Sequence, residues 1–269
     1  MESIRTLNQM KKVSLSKEHP WRQPWKVWIV LPAYNEAQNL GDLLERIDAS
    51  MADARMEYEV IVVDDGSKDK TAEVAARYAK SIPVRVEQHP KNQGLGNTIR
   101  DGLYIASQEC GPRDIVVAMD ADNTQTPGLI LGMVRVIQEG SDVTIASRYQ
   151  NGSLVLGVPF LRRVLSSVAS ALFRVVFPIP GVKDYTCGFR AYRGEVLKSA
   201  FDQFGKQFID QTGFQCMVDI LLKLRQMNLV FREVPLILRY DLKKGDSKMR
   251  VFQTISNTLK LMVRRRLGK

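Results

Sequence analysis

An α/β fold, a mostly parallel central sheet flanked by helices, follows from three observations on the 269-residue sequence. Five short apolar runs alternate with helical periodicity, turn residues bound each run, and polar clusters follow four of them. The first run, 27–31, is closed by Pro32 and reads as a parallel strand buried on both faces. Leu40, Leu43, Leu44 and Ile47 then mark one face of a helix. The second strand is 58–63, followed by a helix on Ala72, Val74, Ala75 and Tyr78. A third strand, 83–87, leads to a helix carrying Ile99, Leu103 and Ala106. A fourth, 115–119, leads to Leu129, Leu131, Met133, Val134 and Ile137, and a fifth is 143–146. In such sheets ligands bind beyond the carboxyl ends of the strands, so the residues after each run are expected to carry the function.

Composition narrows the class. With 45% hydrophobic and 25% charged residues the chain is globular in make-up. Its three cysteines, Cys110, Cys187 and Cys216, form no CxxC pair, which argues against a disulfide framework or a zinc site and for a reducing cytoplasm. No stretch offers 18 uncharged apolar residues; the longest candidate, 164–180, is interrupted by Arg174 and ended by prolines, so no membrane span is expected. The net charge of +10 sits at the two ends. Residues 1–26 hold six basic residues against two acidic, and 239–269 hold ten against two, while the body holds 23 against 25. Terminal basicity of this kind suits an anionic membrane surface better than a nucleic acid, and no nucleic-acid partner is expected. A solvated tail without a partner is the alternative.

The residues after the strands form an acidic rim. Pro32-Ala33-Tyr34-Asn35-Glu36 follows the first strand, Asp64-Asp65-Gly66-Ser67 the second, His89 and Asn92-Gln93-Gly94-Leu95-Gly96 the third, and Asp120-Ala121-Asp122 the fourth. Five carboxylates on one rim repel one another unless a cation or donor groups hold them. Oxygen-only ligation by Asp120 and Asp122 selects Mg²⁺ or Mn²⁺, with phosphate oxygens completing the shell. Pro32 and Tyr34 offer an apolar face to a base, and Asp65 an acceptor for base or ribose hydrogens. Alternatively, Pro32 merely ends its strand and Asp64 caps the next helix. Thr124 or Gln125 is expected to fill the remaining place beside the Asp-Ala-Asp triplet. The Asn92–Gly96 turn is no dinucleotide fingerprint, because Ile99 stands where a third glycine belongs. His19 and His89 lack a neighbouring nucleophile motif and are expected at the surface.

Taken in order, PAYNE at 32–36, VVDDGSKD at 62–69 and DAD at 120–122 resemble family 2 glycosyltransferases of the GT-A fold. SRY at 147–149, DYTCGFRAYR at 184–193, REVP at 232–235 and GDSK at 245–248 extend the resemblance over nearly the whole chain, toward the dolichol-phosphate mannose synthase-like and bacterial polyprenyl-phosphate branch. The resemblance implies an inverting, metal-dependent enzyme using a nucleotide-sugar donor, GDP-mannose or a UDP-sugar. It adds Glu36 and Val63 to the donor site and gives Arg148 and Arg190 to phosphate groups, a role that suits guanidinium forks. Pairing of those arginines with Asp142 or Asp184 is the alternative. It also gives Arg239, Ser247 and Lys248 to a lid over the diphosphate. Here the arginine-to-serine gap is longer than in the family, which leaves Lys243 or Lys244 as substitutes for Arg239.

For the acceptor, Leu161, Val164, Leu165, Val168, Leu172 and Val176 lie on one helical stripe, with Arg163, Ser166, Ser167, Ser170 and Arg174 opposite and Arg162 beside Arg163 at its start. Such a helix suits a polyprenyl phosphate at a bilayer, though an ordinary packing helix has the same pattern. Phe252, Ile255, Leu259 and Met262, followed by Arg264-Arg265-Arg266, describe a second interfacial helix. The expected organisation is an arm at 1–26, a catalytic domain at 27–240 with a nucleotide-sugar half (27–125) and an acceptor half (126–240), and a basic loop and helix at 241–269. Peripheral attachment to the cytoplasmic membrane face follows. A hydroxyl acceptor requires a catalytic carboxylate; Asp210 or Asp219 is the candidate, but the family's Glu-Asp pair is absent. A non-catalytic nucleotide- or membrane-binding module is the remaining alternative.

Overall fold

The computed structural model describes residues 25–245 and 251–267. Ser247, Lys248 and the expected arm before Trp25 lie outside the described residues, as do the side chains of Leu161, Arg162, Phe252 and Ile255. The chain runs β1 (Val27–Ala33), α1 (Ala37–Asp53), β2 (Tyr58–Asp64), α2 (Thr71–Tyr78), β3 (Val84–Gln88), α3 (Leu95–Glu109), β4 (Ile115–Ala118), α4 (Leu129–Gln138) and β5 (Val143–Ser147). After it come β6 (Leu154–Leu156), α5 (Phe160–Val176), β7 (Arg190–Arg193), α6 (Gly194–Phe204), α7 (Cys216–Leu224), β8 (Phe231–Pro235), β9 (Ile237–Arg239) and α8 (Val251–Arg266).

Seven strands form the main sheet in the order β3-β2-β1-β4-β7-β5-β8, and β6 pairs with β9 in a small parallel sheet. All pairings in the main sheet are parallel except those of β7, which runs antiparallel between β4 and β5. The alternation of the sequence did not reveal β7, because four residues ending in arginines carry no apolar run. Strands β4 and β5 are buried throughout, and so is β1 apart from Pro32, as their continuous apolar sequences require.

Pro32 does not end β1, which continues to Ala33 and pairs Pro32 with Val63. A proline is tolerated there because β4 last pairs at Val30, whose carbonyl accepts from Met119; two residues on, the missing N–H of Pro32 faces the side that β4 has already left. The rim of acidic residues thus begins where the ladder stops.

Two helices depart from the expected faces. On α5, Leu165, Leu172 and Phe173 turn inward, but Val164 and Val168 are exposed, with Phe160 and Val175 about four-fifths exposed. Ser166 and Ser170, expected on the polar face, also turn inward. The outward face of α5 is therefore largely apolar. Among the described side chains of α8, Thr258 and Leu261 are buried and Leu259 is exposed. Arg265 turns inward as well: its guanidinium donates to both oxygens of the fully buried Asp219, at 2.7 and 2.9 Å.

Candidate active site

The loops after β1 and β2 are tied to each other. Asn35, in the left-handed region, donates its N–H to Ser67 Oγ at 2.8 Å and accepts from Lys68 N–H at 2.7 Å. Glu36 N–H donates to Thr71 Oγ1. Gly66 has φ +64°, and a Cβ there would come within 2.5 Å of the Lys91 backbone, so only glycine lets the 89–94 turn close over this loop. Asp64 accepts from Ser67 and, at 3.0 Å, from Gln88 Nε2. It fixes the turn, whereas Asp69 bonds the first N–H of α2.

Asp65 is nearly buried and its oxygens are engaged. They accept from Gln93 N–H at 2.7 Å, Gly94 N–H at 2.9 Å and His89 Nδ1 at 2.8 Å. His89 is not a surface residue as expected: it is 9% exposed and bridges Asp65 to Asp101 on α3, 3.1 Å from Nε2. Its position directly after β3, like that of the other rim residues, was the available signal. Val63 is a second correction. Its side chain is fully buried in β2, beneath Gly102 of α3, and can offer a ligand no surface.

The Asp120-Ala121-Asp122 triplet follows β4. Its turn is shaped by Asn123, at φ +61°, whose carbonyl side chain accepts from Arg46 Nη1. Both Thr124 and Gln125 are used: Thr124 donates through its hydroxyl to Asp122 Oδ1 at 2.7 Å, and Gln125 donates to Asp120 Oδ2 at 2.7 Å while accepting from Asp120 N–H. Each carboxylate is thus aimed by a neutral neighbour, as outer partners of metal ligands commonly do. Lys243 Nζ lies 2.7 Å from Asp122 Oδ2. Burial works against its charge, but Asp122, and beyond it Glu36, hold its pKa above the usual lysine value.

Arg148, just past β5, lines a cavity of about 530 Å³ together with Asp120, Asp122 and Arg163. It is also half of an ion pair: Nε and Nη2 donate to the two oxygens of Asp184 at 2.8 and 2.7 Å, and Nη1 donates to Ser166 Oγ. Asp184 is fully buried, which raises its pKa, but Arg148 outweighs this and holds the carboxyl below the ordinary range. The pairing weighed for Arg148 and a place in the cavity wall therefore coexist. The same cavity is also lined by apolar side chains, Leu165, Val168 and Leu172 from α5, Met217 from α7 and Leu259 from α8.

Three other expected residues stand elsewhere. Arg190 is wholly buried and donates to the carbonyls of Met217 and Tyr185 at 2.6 and 3.0 Å; it braces α7 against the 185 loop and reaches no ligand surface. Asp210 lies beside Lys223 and Arg265, 3.4 Å from each, outside the cavity lining. Burial raises its pKa, but the hydrogen bond from Gln211 and the cations Lys223 and Arg265 lower it on balance, which suits an ion-pair member and not a base. Arg239 is exposed and pairs with Asp241. Asn39 and Arg46, both facing the rim from α1, were missed; their spacing of seven residues on one helical face was the available signal.

The chain is similar to known proteins in sequence and fold. The model of glycosyl transferase family 2 matches residues 28–201. A dolichol-phosphate mannosyltransferase of Pyrococcus furiosus is 34% identical over 241 residues, 88% of this chain; the chain spans 64% of that relative's length. A polyprenol monophosphomannose synthase of Mycolicibacterium smegmatis is 30% identical, covering 85% of this chain and 82% of the relative. In fold, the chain is similar to the glucosyl-3-phosphoglycerate synthase of Mycobacterium tuberculosis, crystallised with Mn²⁺, UDP and phosphoglyceric acid, at a TM-score of 0.65 and 21% identity over 91% of this chain and 79% of that one. The sheet with its single antiparallel strand, the acidic rim at the strand ends and these matches together place the chain in glycosyltransferase family 2, with the GT-A fold.

Proposed function

We propose that the protein transfers a hexose from a nucleotide-diphosphate sugar, GDP-mannose or a UDP-sugar, to a polyprenyl phosphate, with inversion at the anomeric carbon. The observation that carries this reading is one cavity lined both by the charged side chains Asp120, Asp122, Arg148 and Arg163 and by apolar side chains of α5, α7 and α8. A phosphate on a long hydrocarbon has this polarity. The named relatives, a dolichol-phosphate mannosyltransferase and a polyprenol monophosphomannose synthase, support the same acceptor class.

Asp120 and Asp122 are the candidates for holding Mg²⁺ or Mn²⁺. Their donor set is oxygen only, and Asp122 already receives a cation, the ammonium of Lys243. Among the described residues no group of three ligating side chains is found, and a hard ion held by the two aspartates would complete its shell with diphosphate and water oxygens. Bound there, it would supply Lewis-acid stabilisation to the departing diphosphate. Pro32, Tyr34, Glu36 and Asp65 stand on the same rim for the nucleoside, Asp65 held ready by Gln93 and Gly94. Arg148, locked on Asp184, and Arg163 face the acceptor phosphate. An oxygen of that phosphate forms the new bond to the anomeric carbon, while the bond to the diphosphate oxygen breaks and its electron pair leaves with the nucleoside diphosphate. The acceptor is already ionised, so no proton needs removal, in keeping with the absence of Asp210 from the cavity lining.

Attachment to the membrane is peripheral in this reading. No described helix is long and apolar enough to cross a bilayer. Phe160, Val168 and Val175 of α5 and Val263 and Leu267 at the end of α8 are exposed, with Arg163, Arg174, Arg264 and Arg266 exposed among them. Apolar side chains between cations suit the headgroup boundary of an anionic leaflet. Calorimetric titration with GDP-mannose, UDP-glucose and UDP-N-acetylglucosamine, with Mn²⁺ and with EDTA, followed by organic extraction of radiolabelled product, tests the reading. Metal-dependent binding of one donor and label in the lipid phase is expected. Label confined to water-soluble glycan would refute the acceptor assignment.

A further inference from the structure

The carboxylate expected to bind a divalent ion is already neutralised from within the chain. Lys243 Nζ sits 2.7 Å from Asp122 Oδ2, and the lysine side chain is only 9% exposed. The next residue is clasped to α1. Asn39, itself 2% exposed, accepts from the Lys244 N–H at 2.9 Å and donates to the Lys244 carbonyl at 3.0 Å, so its amide completes both main-chain hydrogen bonds of that residue. Asn39 also donates to Glu36 at 2.7 Å, and Lys244 Nζ pairs with Asp42 at 2.7 Å. The clasp at Lys244 fixes where Lys243 enters the rim. Arg239, the cation that the family resemblance gave to the lid, points instead to Asp241.

An ammonium nitrogen and a divalent ion cannot share one carboxylate oxygen without strong repulsion at close range. Lys243 must therefore leave Asp122 when a divalent ion binds, while the clasp at Lys244 keeps its ammonium within a side chain's length of the rim. A buried ammonium that loses its counter-ion needs a new anion. On the reading under Proposed function, the donor diphosphate arrives at that moment and place. We propose that Lys243 is the internal counter-ion of the metal-binding carboxylate, exchanged from Asp122 onto the donor diphosphate when metal and nucleotide bind together. The enzyme then resists loading with metal alone and favours the metal–nucleotide pair.

The test uses the full chain as wild type, Lys243→Met, Lys243→Gln and Lys243→Arg, with circular dichroism to verify folding. Free Mn²⁺ is measured by electron paramagnetic resonance without nucleotide, and GDP or UDP is then titrated at saturating Mn²⁺. Both neutral variants are expected to bind Mn²⁺ alone about tenfold more tightly than wild type and the nucleoside diphosphate about tenfold more weakly. Lys243→Arg is expected to keep nucleotide binding near wild type. Unchanged or weaker Mn²⁺ binding by the folded neutral variants would overturn the counter-ion role. Unchanged nucleotide binding in them would overturn the transfer to diphosphate. A wild type that binds no nucleotide with Mn²⁺ would refute the donor site itself, a separate failure that leaves the Mn²⁺ comparison decisive for the counter-ion.

Discussion

Replacing Asp184 by Asn is the sharpest perturbation of the site's scaffold. The wild-type carboxylate is wholly buried and accepts from Arg148 Nε and Nη2 at 2.8 and 2.7 Å, and from the backbone N–H groups of Arg148, Thr186 and Cys187 at 3.1–3.2 Å. The asparagine oxygen can keep some of these bonds, but its NH₂ must face a guanidinium that no longer has a counter-ion. Removing one partner of a buried ion pair costs about 3–5 kcal/mol, and the partial exposure of the Arg148 side chain, 22%, puts this case at about 3. For a domain of this size that is a fall of about 10 °C in melting temperature at pH 7. The pH dependence has a definite sign. Burial raises the Asp184 pKa and Arg148 lowers it further than burial raises it, so the folded value lies below the unfolded one. The stabilisation is then complete above the unfolded carboxylate pKa of about 4 and disappears as pH falls from there through the folded value. Melting curves of wild type and Asp184→Asn at pH 7 and through the acid range are the assay. The two should converge as the pH drops. A loss under about 1 kcal/mol at pH 7, or a gap that widens in acid, would refute the argument.

Asp122→Asn removes a charge at the rim and leaves Lys243 without its counter-ion; we expect Mn²⁺ binding to be lost in a titration, transfer to fall by at least about a hundredfold, and the melting temperature to drop. Arg190→Lys should cost stability alone, because a single ammonium cannot reach the Met217 and Tyr185 carbonyls together: a loss of about 2 kcal/mol in urea unfolding with donor KM unchanged. An altered KM at full stability would return Arg190 to the substrate. Phe160→Ser combined with Val175→Ser, both on the outer face of α5, should weaken sedimentation with anionic vesicles while leaving nucleotide binding intact, and binding of the wild type should fall with added salt.

What the sequence discloses about this molecule follows the range of the interactions. Strands β1, β2, β4 and β5 were legible because both faces of each are covered, which writes a continuous apolar run into adjacent residues. The acidic rim was legible for a related reason: it lies where those runs stop, and a parallel sheet puts all such ends on one side. Strand β7 left no such record, since its partners β4 and β5 lie dozens of residues away and its own four residues begin and end in arginine. Side-chain direction was the least legible property. Arg148 and Arg190 stand in equally suggestive motifs, yet one borders the cavity and the other is sealed behind α7. The longer gap after Arg239 left Lys243 and Lys244 as alternatives, and what brings Lys243 to the rim is Asn39, which clasps the backbone of Lys244 more than two hundred residues away. The same holds for His89, whose burial depends on Asp65 and Asp101 arriving from two different elements. Charged groups at this rim are thus assigned by partners far away in the chain. Their roles are therefore best tested by changing those partners: Asp184 for Arg148, Asn39 for Lys243, Asp101 for His89.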